Sequence, residues 1–197
     1  MFKMYLRNII IGIVVIACST NSIAQTNDHP QSKKRRFAFY GGFGPNYYFN
    51  NLAIAKNLVN EFNYSFVGRF MWEPEHLLSV GIETGYYRLY TMNTPEPTHA
   101  HIANSAIPIQ LVVSMKFLKT FYFNFNMGQS ILLNKVNSDS YGNFDASSVS
   151  LADFTGTLGY RHRFKNRFSV GAEAKFFYST GFVDRNIALI FVGGYKF

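Results

Sequence analysis

The chain has 197 residues, of which 48% are hydrophobic and 18% aromatic, and its formal net charge is +8. This length favours one domain, and a basic balance is compatible with nucleic acid or with a membrane surface. An export signal, described next, and 21 Phe and 13 Tyr against one Trp argue against a nucleic-acid partner and against a small helical domain.

Residues 1–24 have the features of a secretory signal peptide. Lys3 and Arg7 give a charged start, residues 9–17 are apolar, and small side chains lead up to Ala24. The apolar stretch is about half of the ~20 residues that a spanning helix needs, so a permanent anchor is the weaker interpretation. We predict cleavage near Ala24, which leaves 173 residues (197 − 24) with a formal charge of +6 after the loss of two cations from +8.

Cys18 supports a second interpretation of the same segment. Val15-Ile16-Ala17-Cys18 loosely resembles a lipoprotein box, in which Cys18 would become the lipidated first residue of the mature chain. Cys18 is the only cysteine, so an intramolecular disulfide is excluded in either case. The sequence leaves the choice between the two processing sites open.

The mature chain divides into a leader and a strand-rich domain. Residues 25–36 are polar and end in a basic run, which predicts a disordered periplasmic leader. Residues 37–197 form the predicted barrel domain, because eight segments of alternating residues follow one another there. They are 37–49, 62–72, 77–90, 105–116, 119–133, 148–162, 167–179 and 186–197. About ten residues is the length that a tilted membrane strand needs.

The alternation within these segments separates two chemical faces. In the seventh segment one face holds Phe168, Val170, Ala172, Ala174, Phe176 and Tyr178, whereas Arg167, Ser169, Gly171, Glu173, Lys175 and Ser179 take the other, with Phe177 as the exception. The fourth and fifth segments repeat the pattern. A barrel strand places every second side chain in lipid and the others in the lumen, whereas a helix would scatter these residues around all sides.

The connections between segments alternate in length. Residues 50–61, 91–104 and 134–147 are long, whereas 73–76, 117–118 and 163–166 are short. Outer-membrane barrels have short periplasmic turns and longer external loops, and an even strand number places both termini on the periplasmic side. The sequence therefore predicts an all-β fold, an eight-stranded antiparallel transmembrane β-barrel with short periplasmic turns and longer extracellular loops.

The predicted lumen collects charged side chains of both signs. They are Arg69, Glu83, Asp153, Arg161, Glu173 and Lys175. Three cations and three anions cancel, and buried charges are tolerated when they are paired. We predict a salt-bridge network that fills the narrow interior of an eight-stranded barrel. The alternative is a gated ion path or a proton-linked site.

Catalytic and metal sites have weaker support. Possible acids are Glu83 and Glu173, and possible bases are His162 and His76. No nucleophile with an orienting group accompanies them, so we predict neither an enzyme nor a cofactor. The turn at residues 73–76 is expected to be solvated. His99 and His101 with Glu96 lack a third ligand of fixed geometry, so no metal site is predicted.

Basic residues gather on the side assigned to the periplasm. They are the run 33–36 together with Lys116, Lys119, Arg163, Lys165 and Arg167. Near an anionic membrane surface each basic group contributes about 1 kcal/mol of attraction. We expect these turns to form a solvated rim that faces phospholipid headgroups.

The chain ends on an alternating strand, and this strand carries a resemblance. Phe191, Tyr195 and Phe197 share its lipid-facing side. With residues 78–87 and 107–111, the terminal strand resembles the small Gram-negative outer-membrane β-barrel family that includes OmpA-like and OmpX-like domains and PorT-like porin-family proteins. The resemblance covers residues 37–197. It implies an integral protein of the cell outer membrane, whose assembly machinery reads Phe191, Tyr195 and Phe197 as a signal.

The resemblance also implies partners and a range of roles. Expected partners are outer-membrane lipids, lipopolysaccharide, the barrel-assembly machinery and a surface ligand held by the loops, and the expected state is a monomer. The first expectation for function is a non-enzymatic barrel that is structural or binds at the surface through its external loops. The alternative is a narrow pore or an accessory component of transport or protein secretion. A lipid A-modifying enzyme is a remote alternative, because the His-x-Ser motif of the lipid A deacylases is replaced here by His162-Arg163-Phe164.

Overall fold

A computed structural model describes residues 37–49, 58–74, 78–94, 100–117, 120–138, 142–180 and 184–197. The predicted signal peptide and leader, and with them Cys18, lie outside the described residues, as do His76, Glu96, His99 and Lys119. Among the described residues, no helix is long and apolar enough to cross a membrane.

Ten β-strands make up the described part of the chain. They are β1 (Phe37–Tyr48), β2 (Val59–Asn60), β3 (Phe62–Trp72), β4 (Leu78–Asn93), β5 (Ala100–Lys116), β6 (Phe121–Ser138), β7 (Gly142–Val149), β8 (Asp153–Arg163), β9 (Phe168–Ser179) and β10 (Asp184–Lys196). The short β2 and β3 both pair with β4, and β7 and β8 both pair with β6. The ten strands therefore build eight positions around a sheet in which every neighbouring pair is antiparallel.

The sheet closes on itself through β1. On one side β1 pairs with β3, where Phe43 is opposite Phe66, and on the other it pairs with β10, where Phe43 is opposite Phe191. Closure removes the open edges that a flat sheet would expose, which is the condition for crossing lipid with strands. The predicted closed, eight-stranded antiparallel barrel is confirmed.

The two faces of the barrel wall have the polarity expected in lipid. On β5, Ile109 and Leu111 are 61% and 65% exposed on the outside, whereas Gln110 and Ser114 on the alternate face are buried. A water-soluble sheet would bury the apolar side chains instead. An apolar exterior around a polar interior is the pattern of a transmembrane barrel.

The strands extend further than the alternating pattern predicts. β5 has 17 residues and β6 has 18, against the about 9–11 that a span needs. The segments expected as the loops 91–104 and 134–147 are therefore mostly strand, because β4 reaches Asn93, β5 begins at Ala100, β6 reaches Ser138 and β7 begins at Gly142. The extra lengths of β4, β5, β6 and β7 lie at the end away from the termini, so we call them together the external extension.

Candidate functional site

All six charged residues predicted for the lumen are buried inside the barrel. Arg69 comes from β3, Glu83 from β4, and Glu173 and Lys175 from β9. These four side chains meet, and their side chains are 0–2% exposed. The strand alternation turns every second side chain inward, so residues separated by about a hundred positions converge on one level of the lumen. We call these four residues the central charge cluster.

Arg69 lies between two carboxylates. Its Nε donates to Glu83 Oε2 at 2.7 Å. Its two terminal nitrogens donate to the two carboxylate oxygens of Glu173, at 2.9 and 2.8 Å. A planar guanidinium is suited to such a two-point contact with a carboxylate. Arg69 therefore bridges the lumen between β4 and β9.

Lys175 and two polar side chains complete the central charge cluster. The Lys175 Nζ donates to Glu83 and lies 3.8 Å from Glu173 Oε2. Tyr122 donates its hydroxyl to Glu173 Oε1 at 2.5 Å, and Asn126 donates its amide to Glu83 Oε1 at 2.9 Å. Two cations thus balance two carboxylates, with hydrogen bonds for the remaining oxygens. Such pairing offsets the desolvation that buried charges would otherwise cost.

Arg161 belongs to a second layer, nearer the termini. Its guanidinium lies over the rings of Tyr40 and Tyr122, 4.0 and 4.3 Å from their centroids. Its terminal nitrogen donates to Glu73 Oε1 at 3.2 Å. Arg161 makes no direct ion pair with the central charge cluster, and Tyr122 connects the two layers because it contacts both Arg161 and Glu173.

Glu73 is the main functional residue that the sequence analysis misplaced. It was expected in a solvated turn, but it is buried and accepts hydrogen bonds from Tyr40, Lys116, Arg163 and Lys196 at 2.6 to 3.4 Å. Burial alone would raise the pKa of the Glu73 carboxyl, but Lys116, the Tyr40 hydroxyl and the two arginines hold that pKa well below its usual range. Glu73 continues the inward parity of Arg69 and Met71, and this signal could have found it.

Asp153 stands apart from the other predicted charges. It lies at the start of β8, and its Oδ2 accepts a hydrogen bond from Ser150 at 2.8 Å. Its other oxygen has no partner among the described residues. The structure therefore groups four of the six predicted charges directly, links Arg161 through Tyr122, and leaves Asp153 separate.

Aromatic side chains fill the lumen toward the external end. The ring of Tyr87 stacks on Phe177 with centroids 5.5 Å apart, and Tyr48 packs on Tyr90 at 5.1 Å. Phe177, which breaks the alternation of the seventh segment, is buried inside the barrel. The interior is thus occupied at three successive levels, by aromatic rings, by the central charge cluster and by the group around Glu73.

Of the residues considered as acids and bases, the structure describes Glu83, Glu173 and His162, and it does not bring His162 near either carboxylate. His162 is exposed on the outer face, where its ring packs on Phe164 at 4.9 Å, whereas Glu83 and Glu173 lie inside the wall. His101 contacts Asn93 through Nδ1 at 2.6 Å. No group of three or more His, Cys, Asp or Glu side chains that could hold a metal ion occurs among the described residues.

The three residues predicted as an assembly signal share the outer face of the closing strand region. Phe168 packs on Tyr195 at 5.0 Å, and Phe70 packs on Phe197 at 6.2 Å. The backbone N–H of Phe197 donates to the Phe37 carbonyl at 3.0 Å. Phe191 lies further into the membrane, opposite Phe43. These contacts place aromatic rings at the periplasmic end, beside the seam between β1 and β10.

Comparison with known proteins finds likeness in structure and none in sequence. No protein-family model and no curated protein sequence matches the chain. The structure of Ail, the attachment invasion locus protein of Yersinia pestis, in complex with the heparin analogue sucrose octasulfate, matches with a TM-score of 0.56 and 11% identity over 83% of this chain and 99% of that one. Neisserial surface protein A (NspA) matches with a TM-score of 0.54 and 13% identity over 82% and 97%.

The fold and the apolar exterior together define an integral outer-membrane β-barrel protein of the small eight-stranded class. Within that class the chain is similar to Ail and NspA in fold, at an identity that carries no residue-level correspondence.

Proposed function

We propose that the protein is a non-enzymatic, non-conducting outer-membrane barrel that acts as a rigid carrier for its external extension. The observation that carries this proposal is the filled lumen. Arg69 spans the interior between Glu83 and Glu173, and all three side chains are at most 2% exposed. An eight-stranded barrel has an interior just wide enough for side chains, so a crossing ion pair leaves no continuous water path.

The second part of this proposal is that the external extension binds a ligand at the cell surface. The external extension presents the exposed side chains of Phe144 and Val149 at 64% and 63% exposure, and Leu151, which follows β7, is 80% exposed. Exposed residues at the ends of a stable scaffold can vary without disturbing the barrel. The Ail structure holds a sulfated sugar analogue, which makes immobilised sulfated glycans one reasonable probe for this protein.

Planar-bilayer recording tests whether the lumen is closed. The purified barrel should give almost no current, whereas the double variant Arg69→Ala/Glu173→Ala should give only a small increase in leak current, because the aromatic rings and the group around Glu73 still fill the levels above and below. This double variant removes the crossing pair together, so the remaining Glu83 and Lys175 still neutralise each other. The exterior variant Leu158→Ala is the matched control and should stay silent.

A regular unit conductance of the unaltered protein would overturn the proposal in favour of the narrow pore. The enzyme alternative has a separate readout, because an altered lipid A mass in cells that express the protein would replace the non-enzymatic part of the proposal.

A further inference from the structure

A groove on the outer wall of the barrel crosses the strands near the closing seam. It has a volume of about 720 Å³ and is lined by outward side chains of β1, β3, β8, β9 and β10, among them Phe43, Phe66, Tyr160, His162 and Phe191. This volume falls in the range of about 300–1,000 Å³ that is usual for small-molecule sites. The groove lies in the wall that faces lipid, so it is separate from the lumen.

Strand register explains the shape of the groove. His162 is opposite Val170, which is opposite Gly193, and Gly193 is opposite Gly41. On the external side of this row Phe43 lies between Phe66 and Phe191. On the periplasmic side Phe168, Tyr195, Phe39 and Phe70 form the corresponding row. The row that contains Gly193 and Gly41, which we call the floor, therefore lies between two rows of aromatic rings, of which the external row lines the groove.

The barrel itself does not require glycine on this floor. A Cβ on Gly193 would have no atom within 4 Å, and a Cβ on Gly41 would lie 3.8 Å from the Phe39 ring, which is ordinary contact. By contrast, a Cβ on Gly44 would lie 1.9 Å from the Leu189 carbonyl oxygen. Gly44 is needed for strand packing, whereas Gly41 and Gly193 leave room outside the wall.

The groove rises obliquely from the periplasmic rim. His162 is next to the last residue of β8, Arg163, whereas Gly193 is three residues before the end of β10 at Lys196. Strands of a barrel are tilted, so a row of register partners climbs as it passes from strand to strand. An extended apolar chain that enters beside His162 would therefore run upward into the hydrocarbon region.

A cation lies on the periplasmic side of the groove, outside the residues that line it. Arg167 is exposed, and its terminal nitrogen lies 3.4 Å from the hydroxyl of Tyr195, which is on the same outer face of β10 as Gly193. Arg167 has a φ of 77°, a left-handed backbone conformation that favours glycine or asparagine. The turn thus has an arginine at position 167 although the left-handed backbone conformation there costs free energy for a residue with a side chain. Lys165 is exposed in the same turn.

We propose that this groove is a binding site for one anionic glycerophospholipid of the periplasmic leaflet. One acyl chain lies along the floor formed by Gly41 and Gly193, between the aromatic rows, and the headgroup phosphate is bound by Arg167. The positive charge beside the groove favours a lipid over a second copy of the chain as the bound partner. Two barrels joined symmetrically through this face would bring the cations Arg167 and Lys165 of both copies together, whereas a lipid phosphate neutralises them.

Native mass spectrometry of the protein extracted from outer membranes tests this proposal, with dioleoyl phosphatidylglycerol as the probe and phosphatidylcholine as the neutral comparison. One phosphatidylglycerol should be retained per barrel. Gly193→Leu, which fills the floor, should abolish retention of both lipids. Arg167→Gly should weaken phosphatidylglycerol binding about fivefold with little effect on phosphatidylcholine, as expected for the loss of one surface cation.

Gly156→Leu is the matched control, because a Cβ there also meets no atom within 4 Å and Gly156 does not line the groove. It should bind both lipids as the unaltered protein does. Heat-dependent gel migration shows whether each variant folds. Arg167→Gly removes backbone strain, so this variant should fold and test the proposal even if Gly193→Leu does not fold. Unchanged phosphatidylglycerol retention in Arg167→Gly overturns the proposal, as does unchanged retention in folded Gly193→Leu or a barrel dimer that carries no lipid.

Discussion

Arg69 shows how one side chain can link opposite walls of a barrel interior. Its guanidinium contacts Glu83 and Glu173 at once, and Lys175 contacts the same two carboxylates from the other side. The charges in this cluster sum to zero, so loss of any single member leaves an uncompensated charge in a dry interior. Such losses usually cost about 3–5 kcal/mol.

Glu173→Gln should lower the free energy of unfolding by about 3–5 kcal/mol, because it leaves the Arg69 and Lys175 charges with one carboxylate. Adding Lys175→Met should recover part of that loss, since the double variant is neutral again. The coupling expected for residues in one network is about 0.5–3 kcal/mol. Urea unfolding of the refolded barrel, with the folded fraction monitored by gel migration, measures the free energy of unfolding of each variant in this cycle.

Asp153→Asn is the matched control for this cycle. Asp153 is buried like Glu173, but its hydrogen bond is to Ser150 and it lies outside the central charge cluster. Its effect should add to that of Glu173→Gln within about 0.5 kcal/mol. If the Glu173→Gln and Lys175→Met losses are also additive, the two residues are not coupled and the network is not a unit.

At the residue scale, the sequence contains the direction of a side chain but not its partners. Period-two alternation is enough to place Arg69, Glu83 and Glu173 inside, because each strand has two faces. It cannot give the stagger between strands, so it did not show that Arg161 would meet Glu73 instead of Glu173. The contacts of Tyr122 with Arg161 and Glu173 likewise depend on ring position across the lumen, which no local pattern contains.

At the scale of elements, β6 has two parts that pair with different strands. From Phe121 to Gly128 it pairs with β8 inside the barrel, and from Ile131 to Ser138 it pairs with β7 in the external extension. The alternation of apolar and polar side chains is required where one face meets lipid. Beyond the membrane both faces meet water, so residues 134–147 lack the pattern and were predicted as a loop although most of them are strand.

Replacing residues 136–144 with the turn Asn-Gly should leave the barrel intact and weaken a surface-binding function, because it removes the exposed ring of Phe144 and leaves Val149 in place. The remaining pair Lys135 and Asp145 is in register, so a two-residue turn can join the strands. Stability should change little, because the described residues that are removed pair only with the external end of β5 and with one another, and none of them belongs to the hydrophobic core. Urea unfolding and the attachment of expressing cells to immobilised sulfated glycans are the two measurements.

Asn126→Ala on the same strand is the control, because Asn126 donates to Glu83 within the lumen. It should lower stability and leave attachment per folded barrel unchanged. Equal attachment by the trimmed and full proteins at matched surface levels would count against the external extension as a binding surface and leave the structural role.

At the scale of the whole molecule, the seam between β1 and β10 joins the two ends of the barrel domain. Phe197 is the last residue at this seam, and its ring packs beside Phe70 and Tyr195. We propose that the assembly machinery reads Phe191, Tyr195 and Phe197. The plain alternative is that these rings only anchor the barrel at the interface, as aromatic girdles do.

Deletion of Phe197 should separate these two accounts. Recognition predicts that insertion in cells falls much more than refolding of the purified chain in detergent, where no machinery is present. Phe70→Ala is the matched control, since it removes a ring of the same girdle without changing the last strand. It should affect both settings alike, and equal losses for the Phe197 deletion would favour anchoring.

Closure between β1 and β10 also sets the order of folding events. Ala38 pairs with Lys196, a sequence separation of 158 residues (196 − 38), so the final hydrogen-bond ladder has the longest loop in the domain. Contacts between residues so far apart in the sequence form slowly, because chain entropy is lost before these contacts contribute stabilising free energy. Until the last strand arrives, the nascent sheet keeps two unpaired edges that can join another chain. Aggregation should therefore compete with folding during this interval, and a holding chaperone would act on the unclosed sheet.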